Sequence, residues 1–212
     1  MSCATCRETF AGLRSVDPTS DCAHWLDQRE PQCRCQVVSV SEFSRCPVEN
    51  EETLVRIIVA PQHLHRRTKE PKATTLTHAQ TIGMSVFREN LATDKEILDA
   101  AKTLVARARA SAARGGRGDE KKVGVLGVLR MTCEQIRTFR WETEPDPCFC
   151  VYDTATRLAP AHADAFQRIA NVSPEVQDAR KNALFAHIKS GFLPVEKFRN
   201  GLLAGLAPEI TP

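Results

Sequence analysis

Six of the nine cysteines fall within the first 46 residues, as Cys3-x2-Cys6, Cys22, Cys33-x-Cys35 and Cys46, with His24 two places after Cys22. Few large aliphatic residues accompany them. A segment so short of apolar side chains cannot offset the entropy of ordering its own backbone, so it needs a staple. Zinc is the staple this residue set suggests, because it takes four tetrahedral ligands from thiolates and imidazoles, usually as two close pairs. Cys3 and Cys6 have the spacing of a zinc knuckle. The second pair is either Cys33 with Cys35 or Cys22 with His24, and Cys46 stands in reserve. The single residue between Cys33 and Cys35 departs from the commoner two of zinc ribbons. An iron–sulfur cluster, which also needs four thiolates, is the less favoured metal. The bland alternative is a set of small buried thiols. A site with every position filled would be structural, since a catalytic zinc keeps one open.

Metal is preferred to disulfides on two grounds. The N-terminus, Met-Ser-Cys-Ala-Thr-Cys-Arg-Glu, has no basic stretch followed by an apolar core, so it does not read as a secretory signal. No apolar run approaches the ~20 residues of a membrane span. The expected compartment is therefore the cytoplasm, where clustered cysteines more often bind metal than pair. Nine is also an odd number, which suits a fully paired framework poorly.

The aliphatic content rises after residue 50. Residues 1–50 are expected to form the cysteine module and residues 51–212 an α/β (or α+β) domain, with the module packed on a mixed sheet with flanking helices. Strands are expected at Cys35–Val40, Thr53–Val59, Ser85–Arg88, Val123–Leu129 and Cys148–Tyr152, from β-branched or aromatic content and turn boundaries. The stretch from Gln62 to Thr77, broken by Pro71, reads as a loop or irregular hairpin. Thr93-Asp94-Lys95-Glu96 is a capping box opening a helix with Ile97, Leu98, Ala101, Leu104, Val105 and Ala108 on one face. Gly115-Gly116-Arg117-Gly118 ends it; no strand precedes these glycines and no Gly-Lys-Ser/Thr follows, so they are not a phosphate loop. Thr132-Cys133-Glu134-Gln135 opens a second short helix. Further helices are expected at Ala161–Ala170 and after Ser173, where Pro174 and Glu175 suit a first turn, and a weak amphipathic piece at Phe198–Leu206.

Chemistry beyond the cysteines is sparse. Cys148 and Cys150 read as core residues of a strand. His63 and His65 are a pair of contacts for a metal or phosphate if not simply solvated. Asp153, ending a strand, and His162, opening the next element beside Asp164, are the candidate catalytic pair, with His162 as general base. Arg56 and Arg88 each place a permanent fork in an apolar strand, which calls for an internal carboxylate or a bound anion. With Lys72 they form the candidate anion site.

Glu52-Thr53-Leu54-Val55-Arg56, Lys72, Met84-Ser85-Val86-Phe87-Arg88, Asp153 and His162-Ala163-Asp164 together resemble a broad set of small uncharacterised bacterial proteins sharing this layout over the central half of the chain. The resemblance implies a bacterial, cytoplasmic origin and flags Arg56, Lys72, Arg88 and His162; it supplies no reaction, and the cysteine module lies outside it. The net charge of +3 is too mild for a dedicated nucleic-acid binder. Basic residues nevertheless gather at Arg56–Lys72 and Lys102–Lys122. The first expectation is an accessory protein with a structural zinc, part of a multi-protein, defence-type system, docking a protein or an anionic ligand. The second is an enzyme acting on a nucleotide or RNA phosphate through His162, Asp153, Arg56, Arg88 and Lys72. The third is nucleic-acid binding through the basic stretches around Arg66 and Arg107. No membrane partner is expected.

Overall fold

The computed structural model describes residues 4–16, 21–65, 68, 70–114 and 122–209. Its centre is β1 (Thr53–Ala60), a β-branched run buried on both faces, as its near-continuous apolar sequence demands. Around it lie β2 (Met84–Arg88), β3 (Gly124–Thr132), β4 (Phe149–Tyr152), β5 (His162–Gln167) and β6 (Phe192–Pro194). The sheet order is β4-β5-β2-β1-β3-β6. All five pairings are antiparallel, so the helix-plus-sheet class holds and the sheet is antiparallel, not mixed.

Each face is covered. Leu54, Ile58, Met84, Val86 and Leu129 pack with Leu76, Ile136, Leu184 and Ile188 on one side. Val55, Ile57, Val59 and Phe87 pack with Ile97, Ala101, Val105, Phe198 and Leu203 on the other. The helices concerned are α3 (Asp94–Ala113), α4 (Cys133–Arg137) and α5 (Pro174–Ile188). Both capping boxes form: Thr93 Oγ1 accepts the Glu96 amide while Glu96 accepts the Thr93 amide, and Thr132 and Gln135 do the same. Ser173 caps α5 with Pro174 in the first turn. The glycines expected to end α3 lie outside the described residues.

Two expectations are corrected. Ala161–Ala170 is not a helix but β5: alanine favours helix locally, yet Ala163 and Ala165 join one core while Phe166 joins another, a period of two that pairing with β2 and β4 rewards. Cys35–Val40 is not a strand; a 3-10 helix spans Arg34–Val37. The cysteine module expected over residues 1–50 holds two helices that its sequence did not announce, α1 (Ala4–Ser15) and α2 (Cys22–Arg29), ahead of that turn. Asp21 caps α2 by accepting the His24 amide.

The cysteines depart furthest from expectation. Cys6 pairs with Cys35 (Cα–Cα 5.5 Å) and Cys33 with Cys150 of β4 (6.0 Å). Cys33 adopts a left-handed conformation, and the 3-10 turn after it sends the neighbouring sulfurs different ways, one to the sheet and one to α1. A sulfur spent in a disulfide is no thiolate ligand, so Cys6, Cys33 and Cys35 hold no zinc here and no iron–sulfur cluster. Cys22 is a buried thiol, His24 is exposed with Nε2 2.8 Å from Gln28 Nε2, and Cys3 lies outside the described residues. Among the described residues no group of three or more His, Cys, Asp or Glu side chains is arranged to hold a metal. Phe10, Leu26, Tyr152, Phe166 and Ile169 pack around the sulfurs as one core, so the N-terminal helices are stapled to the β4–β5 end of the sheet. No helix among the described residues is long and apolar enough to cross a membrane.

Candidate functional site

The β1–β2 ladder is short: Leu54 faces Arg88 and Val55 faces Phe87. Just past the second pair, Arg56 Nη1 donates to the Ser85 carbonyl oxygen at 2.8 Å, spending one guanidinium donor where a backbone amide would ordinarily serve. Arg56 is only 4% exposed, and its Nε is buried without a partner. Burial pulls its pKa down to about 10 while the charge of Asp164 pushes it back up, so it remains a cation at neutral pH.

Asp164 is the anionic centre. Strand pairing sets Ser85 directly opposite it and His162 opposite Phe87. Ser85 Oγ donates to Asp164 Oδ1 at 3.2 Å, and Thr154 Oγ1 donates to Oδ2 at 2.8 Å. Thr154 Oγ1 also lies 3.1 Å from His162 Nδ1. A hydroxyl has one proton, and Asp164 takes it, so His162 Nδ1 must be the donor to Thr154. Neutral His162 then carries its lone pair on Nε2, which sits 3.8 Å from Asp164 Oδ1. The edge-on ring of Phe87, 5.8 Å away, holds the imidazole in place.

Two more histidines and a lysine complete the cluster. His63 closes the turn after β1, and its Nδ1 accepts the Val59 amide at 3.1 Å. That bond fixes its proton on Nε2. Burial, reinforced by the positive fields of Arg56, His78 and Lys72, holds its pKa at about 3. His78 sits on the 3-10 helix Ala73–Gln80. Burial and Arg56 lower its pKa against the opposing pull of Asp164. Lys72 starts that helix, its amide donating to the His63 carbonyl oxygen at 2.9 Å.

The sequence-expected residues thus divide into two groups. Arg56 and His162 lie by Asp164, and Lys72 stands beside His63. Arg88 and Asp153 lie together elsewhere, because alternation along β2 turns Arg88 away from Phe87 and its neighbour His162. Arg88 is 1% exposed and saturated: Nε and Nη2 grip Glu52 at 2.7 and 2.5 Å, Nη1 donates to Cys46 O, and Nη2 to Pro47 O. Asp153 is fully buried, which pushes its carboxyl upward. The Ser39 and Ser44 hydroxyls and the Ala155 amide face it without reaching good hydrogen-bond geometry, so neither oxygen has a close partner. His65 is tied into the 63–72 hairpin by its amide bond to Glu70. Ser85, Thr154 and His78 were not singled out from sequence, and Asp164 was given no role of its own; its signal is the His162-x-Asp164 spacing, which in a strand puts both on one face.

No family model, no curated protein and no solved structure matches the chain.

Proposed function

We propose that the chain binds a phosphate-bearing ligand of the nucleotide class at the Arg56–Asp164–His162 cluster and that His162 Nε2 acts as a general base on it. The supporting observation is Arg56: a permanent cation in the sheet interior whose one hydrogen bond among the described residues is to a carbonyl and whose Nε has no acceptor. An unfilled buried guanidinium is costly, and a multi-oxygen anion is its best complement. Lys72 adds charge, and His63 Nε2–H adds a donor that stays neutral at physiological pH. A metal cation is disfavoured by the same residues. His162, backed by Asp164 through Thr154, is the group suited to take a proton from a water or hydroxyl attacking phosphorus.

Titration calorimetry with inorganic phosphate, pyrophosphate and adenosine monophosphate tests the binding. At least one is expected to bind, and Arg56→Met to weaken it tenfold or more at unchanged fold by circular dichroism. Absence of binding by all three to the folded protein sinks the reading. The base is tested with RNA dinucleotides followed by 31P NMR: His162→Asn is expected to lower turnover by roughly 10²–10⁴ while leaving binding within a few-fold. Binding without turnover in the parent would leave a binding protein, closer to the accessory role, and end the enzymatic proposal. The paired cysteines favour an oxidising compartment over the cytoplasm expected from the N-terminal residues.

A further inference from the structure

Away from that cluster, the seam between the N-terminal helices and the sheet opens into a cleft of about 370 Å3. Asp27 and Pro31 line it from the N-terminal side, and Glu144, Asp146, Arg168 and Arg180 from the other. A lobe of about 170 Å3 continues past Arg168 to Cys33 and Cys150.

The charges in this cleft are unequally committed. Asp27 Oδ2 accepts the Ile169 and Ala170 amides at 2.7 and 2.6 Å. Glu144 is held by Arg180 on one oxygen and by the Cys148 thiol on the other. Arg180, 8% exposed, also donates to the Arg168 carbonyl oxygen, and its Nε is sealed off without a partner. The Arg168 guanidinium, by contrast, makes no hydrogen bond among the described residues. Its nearest anions are Asp27 Oδ1 at 3.8 Å and Asp146 Oδ2 at 4.0 Å, both too far, and its Nε is shut away from solvent. Asp146, with its side chain 75% exposed, has no closer partner among the described residues.

We propose that this cleft is a second ligand site, for a small zwitterion of the amino-acid class, with the ligand carboxylate on Arg168 and its ammonium on Asp146. A carboxylate matches the planar guanidinium fork and fills donors that the protein leaves empty. A bare anion is disfavoured, because two arginines face three carboxylates, a balance of minus one. A simple cation meets Arg168. A ligand carrying both signs complements both. The volume sits near the lower end of the ~300–1,000 Å3 usual for ligand pockets, which fits an amino acid or dipeptide. Pro145 and Pro147 add an apolar wall for its side chain. The two walls come from segments joined by Cys33–Cys150, so the disulfide assembles the site.

The test is calorimetric titration of the oxidised protein with L-valine, L-leucine, L-phenylalanine, L-proline and Leu-Leu, each beside its carboxamide and its N-acetyl form. At least one free compound is expected to bind with Kd of about 1 mM or tighter, its carboxamide and N-acetyl form tenfold more weakly. Arg168→Lys, which keeps the charge and loses the fork, is expected to weaken binding tenfold. Asp146→Asn, a surface change that spares the fold, should weaken the free compound and leave the N-acetyl form unchanged. Reduction with a dithiol, which converts Cys33–Cys150 to two thiols, should abolish it. Failure of every free compound to bind the folded protein, equal affinity for the carboxamides, or indifference to both substitutions overturns the proposal.

Discussion

At the scale of single residues, the chain places ionisable groups where only one state fits. His63 is the clearest case. Its folded pKa of about 3 lies far below the ordinary 6.5, so between those values the unfolded state binds more protons than the folded one. Stability is then complete above about pH 6.5 and falls as pH drops toward 3, by up to ~1.4 kcal/mol per unit from this group alone. His63→Asn, which keeps an acceptor for the Val59 amide without titrating, is expected to flatten the acid limb of urea-denaturation midpoints; an unchanged limb would show that His63 is not buried neutral. Arg88 makes the opposite point, a charge that stays charged because Glu52 and two carbonyls surround it. Arg88→Met should cost about 3–5 kcal/mol, since it strands Glu52, and adding Glu52→Gln should restore part of the loss. A double variant no more stable than the single one would show that the pair is not coupled. Chemical denaturation of the three variants decides it.

At the scale of elements, the site depends on the turn that joins the 3-10 helix Ala73–Gln80 to β2. Gly83 makes that turn with φ +94°, its amide donating to the His78 carbonyl oxygen, and a Cβ there would stand 2.6 Å from Phe166 Cζ. Gly83→Ala thus meets backbone strain of ~1–2 kcal/mol and a ring that must move. A fall of roughly 2–8 °C in melting temperature is expected, together with weaker phosphate binding, because His78 and Ser85 flank the turn. Gly205→Ala, with open space around it, should change neither. What could be read from sequence follows the same division between local and non-local causes. Both capping boxes and the Ser173–Pro174 start were legible because the whole signal lies within four residues. β1 was legible because a β-branched run has few other homes. β5 was not: its alanines say helix, and only Met84–Phe87 on one side and Phe149–Tyr152 on the other turn His162–Gln167 into a strand. The candidate site inherited that error. Asp153 attracted attention by closing a strand, whereas Asp164 becomes the centre only once β5 is extended and Ser85 lies across from it.

At the scale of the whole molecule, the open question is what holds the N-terminal helices to the sheet. Polar contacts contribute: Arg137 of α4 donates to the Gln36, Val48 and Val151 carbonyl oxygens, and Asp27 to β5's end accepts two amides. Their apolar contact is modest and gathers around the sulfurs. The Cys33–Cys150 link closes a loop of 117 residues, the Cys6–Cys35 link one of 29. On the chain-entropy account the longer loop restrains the unfolded chain more, with a typical contribution of ~2–4 kcal/mol per disulfide. Cys150→Ser should therefore destabilise more than Cys6→Ser, and reduction should free α1 and α2 to be clipped by protease before the sheet unfolds. Native alkylation provides the sharper measurement. Cys46, exposed, should label at once, while Cys6, Cys33, Cys35 and Cys150 should label only after a dithiol, with linked peptides recovered in the pairs 6–35 and 33–150. Prompt labelling of Cys33 and Cys35 without reductant would mean that these sulfurs are thiols. The staple between the two parts would then have to be something other than a covalent bridge, and the cleft at the seam would lose the link that assembles it.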